Sequence, residues 1–268
     1  LSYVQFEKFT IPPHLTIICE GAFRGSNVKK IEIPPNSVIH TIGKNAFEYS
    51  SIERFTIPPH LTKIDECTFR DCKKLKVVDF LSDSELKTIE DDAFWRSSIE
   101  SLSIPASLIE LKEKWCSNTV NLNEVYISSK NPRYSLYGGQ LIVGKSTLDC
   151  ESYDEVVFCC RNCEKVTIPK SIKTILPYSF SDCSKISTIN FSPDSILQTI
   201  GQLSFAKSSI KSIIIPSTVT KICHSAFLEC QKLITVVIPN NSELRIIEKR
   251  AFNNSSITNF TITPHITQ

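Results

Sequence analysis

Apolar residues recur along the chain in one form: apolar-x-x-apolar-x-apolar, usually closed by proline. The unit occurs eleven times. Its positions are Phe6/Phe9/Ile11, Val28/Ile31/Ile33, Ile52/Phe55/Ile57, Leu75/Val78/Phe80, Ile99/Leu102/Ile104 and Leu122/Val125/Ile127, then Cys163/Val166/Ile168, Ile186/Ile189/Phe191, Ile210/Ile213/Ile215, Leu233/Val236/Ile238 and Ile257/Phe260/Ile262. Outside one long gap, successive units start 22 to 24 residues apart. A period in that range marks a solenoid, whose units bury a continuous core only by stacking. Each unit predicts one short strand with alternate residues turned inward and outward. The expected fold class is an α/β-class, β-dominated solenoid with one parallel, curved sheet of about eleven short strands. The expected organisation is a single array over residues 1–268, with a hairpin-like insertion at about 128–162.

A second marker lies between the strands, an aromatic residue usually preceded by a small one. Examples are Ala22-Phe23, Ala46-Phe47, Thr68-Phe69, Ala93-Phe94, Ser179-Phe180, Ser204-Phe205, Ala226-Phe227 and Ala251-Phe252, with Trp115 taking that place once. Isoleucine precedes it by five residues, at Ile18, Ile42, Ile64, Ile89, Ile175, Ile200, Ile222 and Ile247. Each coil therefore offers inward residues at the strand, on a return arm and at a corner. The arm is the crossover that parallel strands require. Proline directly after the strand, as at Pro12-Pro13, Pro58-Pro59, Pro105 and Pro216, ends the ladder because it has no N–H to donate. Two unit types alternate, one with a Cys-x-x-Leu/Ile corner and one with a Ser-Ser-Ile corner, so the full sequence period is near 47 residues.

These residues resemble the BspA-like group of leucine-rich repeat proteins. The unit of that family reads as an Ala-Phe corner, a Cys-x-x-Leu turn, a strand ending in Ile-Pro, then Val-x-x-Ile before the next corner. Phe227-Leu-Glu-Cys230-Gln-Lys-Leu233-Ile-Thr-Val236-Val-Ile238-Pro239 matches it, and so does Ile215-Pro216-Ser-Thr-Val219-Thr-Lys-Ile222-Cys-His-Ser-Ala226-Phe227. Within the gap, Asn131-Pro132-Arg-Tyr134-Ser135 and Gly138-Gly139-Gln-Leu141 resemble the family's insertion. The resemblance implies a leucine-rich repeat right-handed coil. It also implies the function of a cell-surface antigen or adhesin, as found in host-associated bacteria and parasitic protists. One departure is that the glycine after the arm isoleucine is kept at Gly43 and Gly201 but replaced by Cys19, Asp65 and Cys223.

Eleven cysteines are too many to pass over. Cys72, Cys183 and Cys230 share one repeat position, and units two apart place α-carbons roughly 10 Å apart, beyond disulfide reach. These three, with Cys19 and Cys223 near the corner, are expected as small buried hydrophobes. Cys150, Cys159, Cys160 and Cys163 cluster at the end of the insertion. Free thiols are the default there, a disulfide from Cys150 to Cys159 or Cys160 is open, and zinc is disfavoured because no second pair has the required spacing. Gly138-Gly139 between apolar runs predicts a turn.

Lysine and arginine number 30 against 28 acidic residues, a net charge of +2, which points to neither nucleic acid nor an anionic membrane. No apolar run spans a bilayer, no signal peptide opens the chain, and with no methionine it reads as a fragment or processed form. His14, His60 and His265 share one position and read as solvated turn residues. No phosphate loop, nucleophile elbow or His-Glu-x-x-His occurs, so no enzyme, cofactor or metal is expected.

What remains is a binding strip, formed by the outward residues of each strand. The candidates are Arg54, Val77, Asp79, Glu124, Tyr126, Lys165, Asn190, Ile214 and Val237, on the expected concave face. Val77, Tyr126, Ile214 and Val237 are its exposed apolar members, and Tyr126 is the expected anchor with Glu124 and Arg54 as charged rim. The expected partner is a protein, extracellular-matrix or glycan ligand at a cell-surface or extracellular location. The alternative is an intracellular, cytoplasmic protein–protein scaffold, which eleven thiols favour and the sequons at Asn190, Asn240, Asn253, Asn254 and Asn259 oppose.

Overall fold

The computed structural model describes residues 7–80 and 83–260. Phe6, Thr261, Ile262 and His265 lie outside the described residues. The chain divides into two compact units, residues 1–133 and 134–268. Among the described residues no helix occurs.

In the first unit the repeat strands are Lys8–Thr10 (β1), Lys30–Glu32 (β3), Arg54–Ile57 (β5), Val77–Phe80 (β7), Ser101–Ile104 (β9) and Glu124–Ile127 (β11). They form one parallel six-stranded sheet in chain order. The register carries each repeat position onto its equivalent, as in Phe55 on Val78 and Val125 on Leu102. The return arms contribute two-residue strands, Ile17–Ile18 (β2), Thr41–Ile42 (β4), Lys63–Ile64 (β6), Thr88–Ile89 (β8) and Glu110–Leu111 (β10). These pair in parallel as β2-β4 and β6-β8-β10.

The second unit opens with the insertion. Tyr134–Tyr137 (β12), Leu141–Gly144 (β13) and Glu155–Cys159 (β14) form an antiparallel meander. Its first turn needs the two glycines, because Gly138 and Gly139 have φ of 58° and 73°. The repeat strands follow as Lys165–Ile168 (β15), Thr188–Phe191 (β17), Ser212–Ile214 (β19), Thr235–Val237 (β21) and Asn259–Phe260 (β23), a parallel five-stranded sheet. The arms are Thr174–Ile175 (β16), Thr199–Ile200 (β18), Lys221–Ile222 (β20) and Ile246–Ile247 (β22). The strands of the expected parallel ladder are thus present, but in two sheets of six and five. The insertion accounts for the break. β14 pairs in parallel with β16, so the insertion supplies the first arm of the second unit.

The corners form a third line of order. Phe23, Phe47, Phe69 and Phe94 stack with ring centroids 5.3–5.4 Å apart, and Trp115 meets Phe94 edge-on. Phe180, Phe205, Phe227 and Phe252 stack at 4.9–5.0 Å. Backbone bonds hold them at that spacing, since Phe47 N donates to Thr68 O at 2.9 Å and Phe69 N to Ala93 O at 2.8 Å. Residues two before and two after each phenylalanine take positive φ, as at Asn45 and Tyr49, Cys67 and Asp71, Leu203 and Lys207. In the first coil glycine fills both places, Gly21 and Gly25. Gly43 and Gly201 are needed for a different reason. A Cβ there would lie 2.6 Å from Glu20 N and 2.5 Å from Ile175 O.

Cys72, Cys183 and Cys230 are buried as expected, but Cys19 is exposed and Cys223 half-buried. These two occupy the arm position where the neighbouring coils carry Gly43 and Gly201, so their side chains turn away from the core. None of the eleven cysteines is in a disulfide.

Candidate binding surface

Each strand turns two residues outward, and the parallel register lines them up in two columns. In the first unit these are Lys8, Lys30, Arg54, Val77, Ser101 and Glu124, and Thr10, Glu32, Thr56, Asp79, Ser103 and Tyr126. The charges neutralise one another. Glu32 bridges Lys8 at 3.0 Å and Lys30 at 2.9 Å, and Thr10 Oγ1 donates to it at 3.2 Å. The hydrogen bonds from Lys30 and Lys8 hold its carboxyl down at about 2. Arg54 Nε lies 2.9 Å from Asp79. Tyr126 Oη donates to Glu124 at 3.0 Å, and that bond pushes the phenol up. Tyr126 is 60% exposed, as the alternation predicts. Val77 is half-buried rather than exposed. Its register neighbours are Arg54 and Ser101.

A charged column that sequence reasoning missed runs just before these strands. Glu7, Lys29, Glu53, Lys76 and Glu100 alternate in sign and are linked coil to coil, from Lys29 N to Glu7 O at 2.8 Å through to Glu100 N to Lys76 O at 2.8 Å. Lys29 pairs with Glu7 at 2.6 Å and Lys76 with Glu100 at 2.7 Å. Its signal is a sign alternation at the repeat period, visible only when coils are aligned by position.

The second unit differs. Its columns read Lys165, Thr188, Ser212, Thr235 and Asn259, and Thr167, Asn190, Ile214 and Val237. Lys165 is the one charged member. Ile214 is 63% exposed and lies directly against Val237 in the register. Beside them opens a groove of about 730 Å³. Asn190, Ser212 and Ile214 form one wall, and Ile196, Pro216 and Pro239 from the segments after the strands contribute to the rest. The structure therefore brings Asn190 and Ile214 to one groove, with Val237 adjacent. Lys165 lies on the edge strand. Arg54, Val77, Asp79, Glu124 and Tyr126 belong to the first unit.

Elsewhere little chemistry is assembled. Among the described residues no group of three or more His, Cys, Asp or Glu is placed to hold a metal. His60 meets Glu85 at 3.2 Å on the surface and His14 is exposed. Among the described residues no helix is long and apolar enough to cross a membrane.

The model of the BspA-type leucine-rich repeat region matches residues 1–123 and 151–268 in six copies. No curated relative matches the chain by sequence. Among solved structures, the pneumococcal vaccine antigen PcpA superposes with a TM-score of 0.78 at 24% identity, over 89% of this chain and 61% of its own length. A leucine-rich cell surface protein from Faecalibacterium prausnitzii gives 0.63 at 18% identity, over 96% and 87%. A leucine-rich repeat protein from Bacteroides ovatus gives 0.64 at 22% identity, over 92% and 62%. The chain thus spans less than two thirds of the length of two of these three. At such identities the likeness is one of fold. Leucine-rich repeat arrays of this kind are protein-binding scaffolds, and the unmatched stretch 124–150 contains the start of the insertion.

Proposed function

Because the chain belongs to the family of BspA-type leucine-rich repeat proteins, we propose that it is a non-enzymatic adhesin or antigen module at a cell surface. It recognises a host protein or matrix ligand through the outward strand face. The neighbours named as a vaccine antigen and a cell surface protein support that location. The observation that carries the binding reading is the contrast between the two strips. In the first unit the charges are already satisfied by one another. In the second, Ile214 and Val237 stand exposed beside a groove wide enough for a partner's apolar side chain. Burying such a pair, with Asn190 and Ser212 free to meet polar groups at the rim, is the arrangement of an interface hot spot. Tyr126, with Glu124 and Arg54 around it, is the second proposed contact, and Val77, Asp79 and Lys165 complete the strip.

The test is binding to a panel of immobilised extracellular-matrix proteins and glycans. Ile214→Lys should weaken capture at least about tenfold, a loss of roughly 1.4 kcal/mol, with an unchanged melting temperature. Leu148→Ser, an exposed residue of the insertion, should leave it intact. Binding through the second unit should also be insensitive to salt, since that strip is nearly uncharged. Capture that survives Ile214→Lys and Tyr126→Ala together would remove the strand face from the account.

A further inference from the structure

Cys72, Cys183 and Cys230 occupy one repeat position but not one environment. Cys72 Sγ donates to Phe47 O at 3.0 Å and lies 3.5 Å from Ser50 Oγ. Cys230 Sγ repeats this with Phe205 O at 3.0 Å and Ser208 Oγ at 3.6 Å. Burial pushes these two thiols up to about 12 and about 11. They are inert core residues.

Under Cys183 the preceding coil comes from the insertion, and its residues differ. Cys159 takes the place of the stacked phenylalanine. Its N–H donates to Ser179 O at 2.9 Å, as Phe47 N donates to Thr68 O in the first unit. The stack of the second unit begins only at Phe180. The space beside the missing ring holds a buried arginine. Arg161 is 2% exposed, lies over Phe158 at 4.4 Å, and donates from Nη1 to Cys183 Sγ at 3.1 Å and to Cys159 O at 3.4 Å. Cys183 Sγ also donates to Cys159 O at 3.9 Å. Although burial raises Cys183, the hydrogen bond from Cys159 and the charge and hydrogen bond of Arg161 outweigh it and bring the thiol below its ordinary value. Cys159, which donates to Cys163 and Cys183, is pushed well up in return.

We propose that Cys159 and Cys183 are a redox-active dithiol in which Cys183, paired with the Arg161 guanidinium, reacts with a peroxide and is then captured by Cys159. The Cys183 thiolate attacks one peroxide oxygen. The O–O bond breaks, hydroxide leaves and takes up a proton as water, and a sulfenic acid forms. The Cys159 sulfur then attacks the Cys183 sulfur. An S–S bond forms, the S–O bond breaks, and water leaves with the Cys159 proton. Two thiols are oxidised by two electrons and one peroxide is reduced to two waters. The product ties the end of β14 to the first repeat corner of the second unit. Cys159 and Cys183 are both fully buried, which restricts the oxidant to a small one.

The test treats the reduced full chain with hydrogen peroxide, blocks remaining thiols by alkylation in denaturant at set times, and reads each cysteine by peptide mass spectrometry. The expected first product is a Cys159–Cys183 cross-linked peptide, formed at least about ten times faster than any oxidation of Cys72 or Cys230, because reactivity follows the thiolate. Cys183→Ser should abolish the cross-link. Arg161→Met should slow it about tenfold or more, and Arg161→Lys should slow it less. The site-resolved rates in the unsubstituted chain decide the matter even if an Arg161 variant fails to fold. A first disulfide between any other pair, such as Cys159–Cys163, would overturn the proposal. So would Cys183 oxidising no faster than Cys72 and Cys230.

Discussion

Truncating Phe94 removes the ring on which the first unit's corner stack turns. Phe94 is fully buried, lies on Phe69 at 5.4 Å with planes 4° apart, and meets Trp115 edge-on at 6.4 Å. Losing the buried ring forfeits roughly 2–3 kcal/mol of transfer free energy. The two aromatic contacts add ~0.5–1.5 kcal/mol each. Collapse of the cavity is opposed by the backbone, because Phe94 N donates to Trp115 O at 2.9 Å and Phe69 N to Ala93 O at 2.8 Å, which fixes the coil spacing. Phe94→Ala should therefore fall in the upper part of the range of ~3–5 kcal/mol known for such truncations. Equilibrium urea denaturation measures this loss, and hydrogen exchange should show it as faster opening of β5, β7 and β9. The half-buried Phe252, which stacks on Phe227 at 5.0 Å and meets Phe260 edge-on at 5.3 Å but keeps part of its ring in water, is the internal reference, and Phe252→Ala should cost about half as much. A loss below ~1 kcal/mol at Phe94, or equal losses at both sites, would refute the reasoning that the stack is a continuous core element.

Gly201→Ala should destabilise by ~1–3 kcal/mol in thermal denaturation, because the added methyl meets Ile175 O at 2.5 Å. Cys223→Ala at the equivalent position, which already carries a side chain, should change the melting temperature little. Asn131→Ala should cost ~1–3 kcal/mol, since the buried Asn131 Nδ2 donates to Pro105 O at 2.8 Å and Leu108 O at 2.9 Å. Glu32 has a lowered folded pKa, so its contribution is fully present above the ordinary value of 4.5 and is lost as pH falls through about 2. The stability difference between the unsubstituted chain and Glu32→Gln, followed by urea denaturation at a series of pH values, should therefore shrink over that window, and added salt should shrink it at neutral pH.

The strands, the corners and the outward columns were legible because each depends on a local period. Phe94, Ile213 and Val236 announce their burial by spacing alone. Ile214 and Val237 were legible as outward for the same reason, since alternation is a property of the backbone. The groove beside Ile214 was not, because Ile196, Pro216 and Pro239 converge on it from segments that follow three different strands. Nor was the place of the insertion in the arm ladder. Cys159 stands where a phenylalanine would, so the repeat looks interrupted at the residue where the backbone pattern continues. The positive-φ corners were hidden as well. Tyr49, Leu203 and Lys207 adopt a conformation that favours glycine, and coil-to-coil bonds such as Tyr49 N to Arg70 O at 3.0 Å hold them there.

The outward strand face of the second unit is the central proposed place of binding. The direct measurement is a hydrogen-exchange footprint of the chain with and without a partner captured from the matrix panel. Slower exchange should appear at residues 188–190, 212–214 and 235–237 and in the segments carrying Ile196 and Pro216. Protection confined to the return arms β16, β18, β20 and β22, or to the phenylalanine corners, would contradict it.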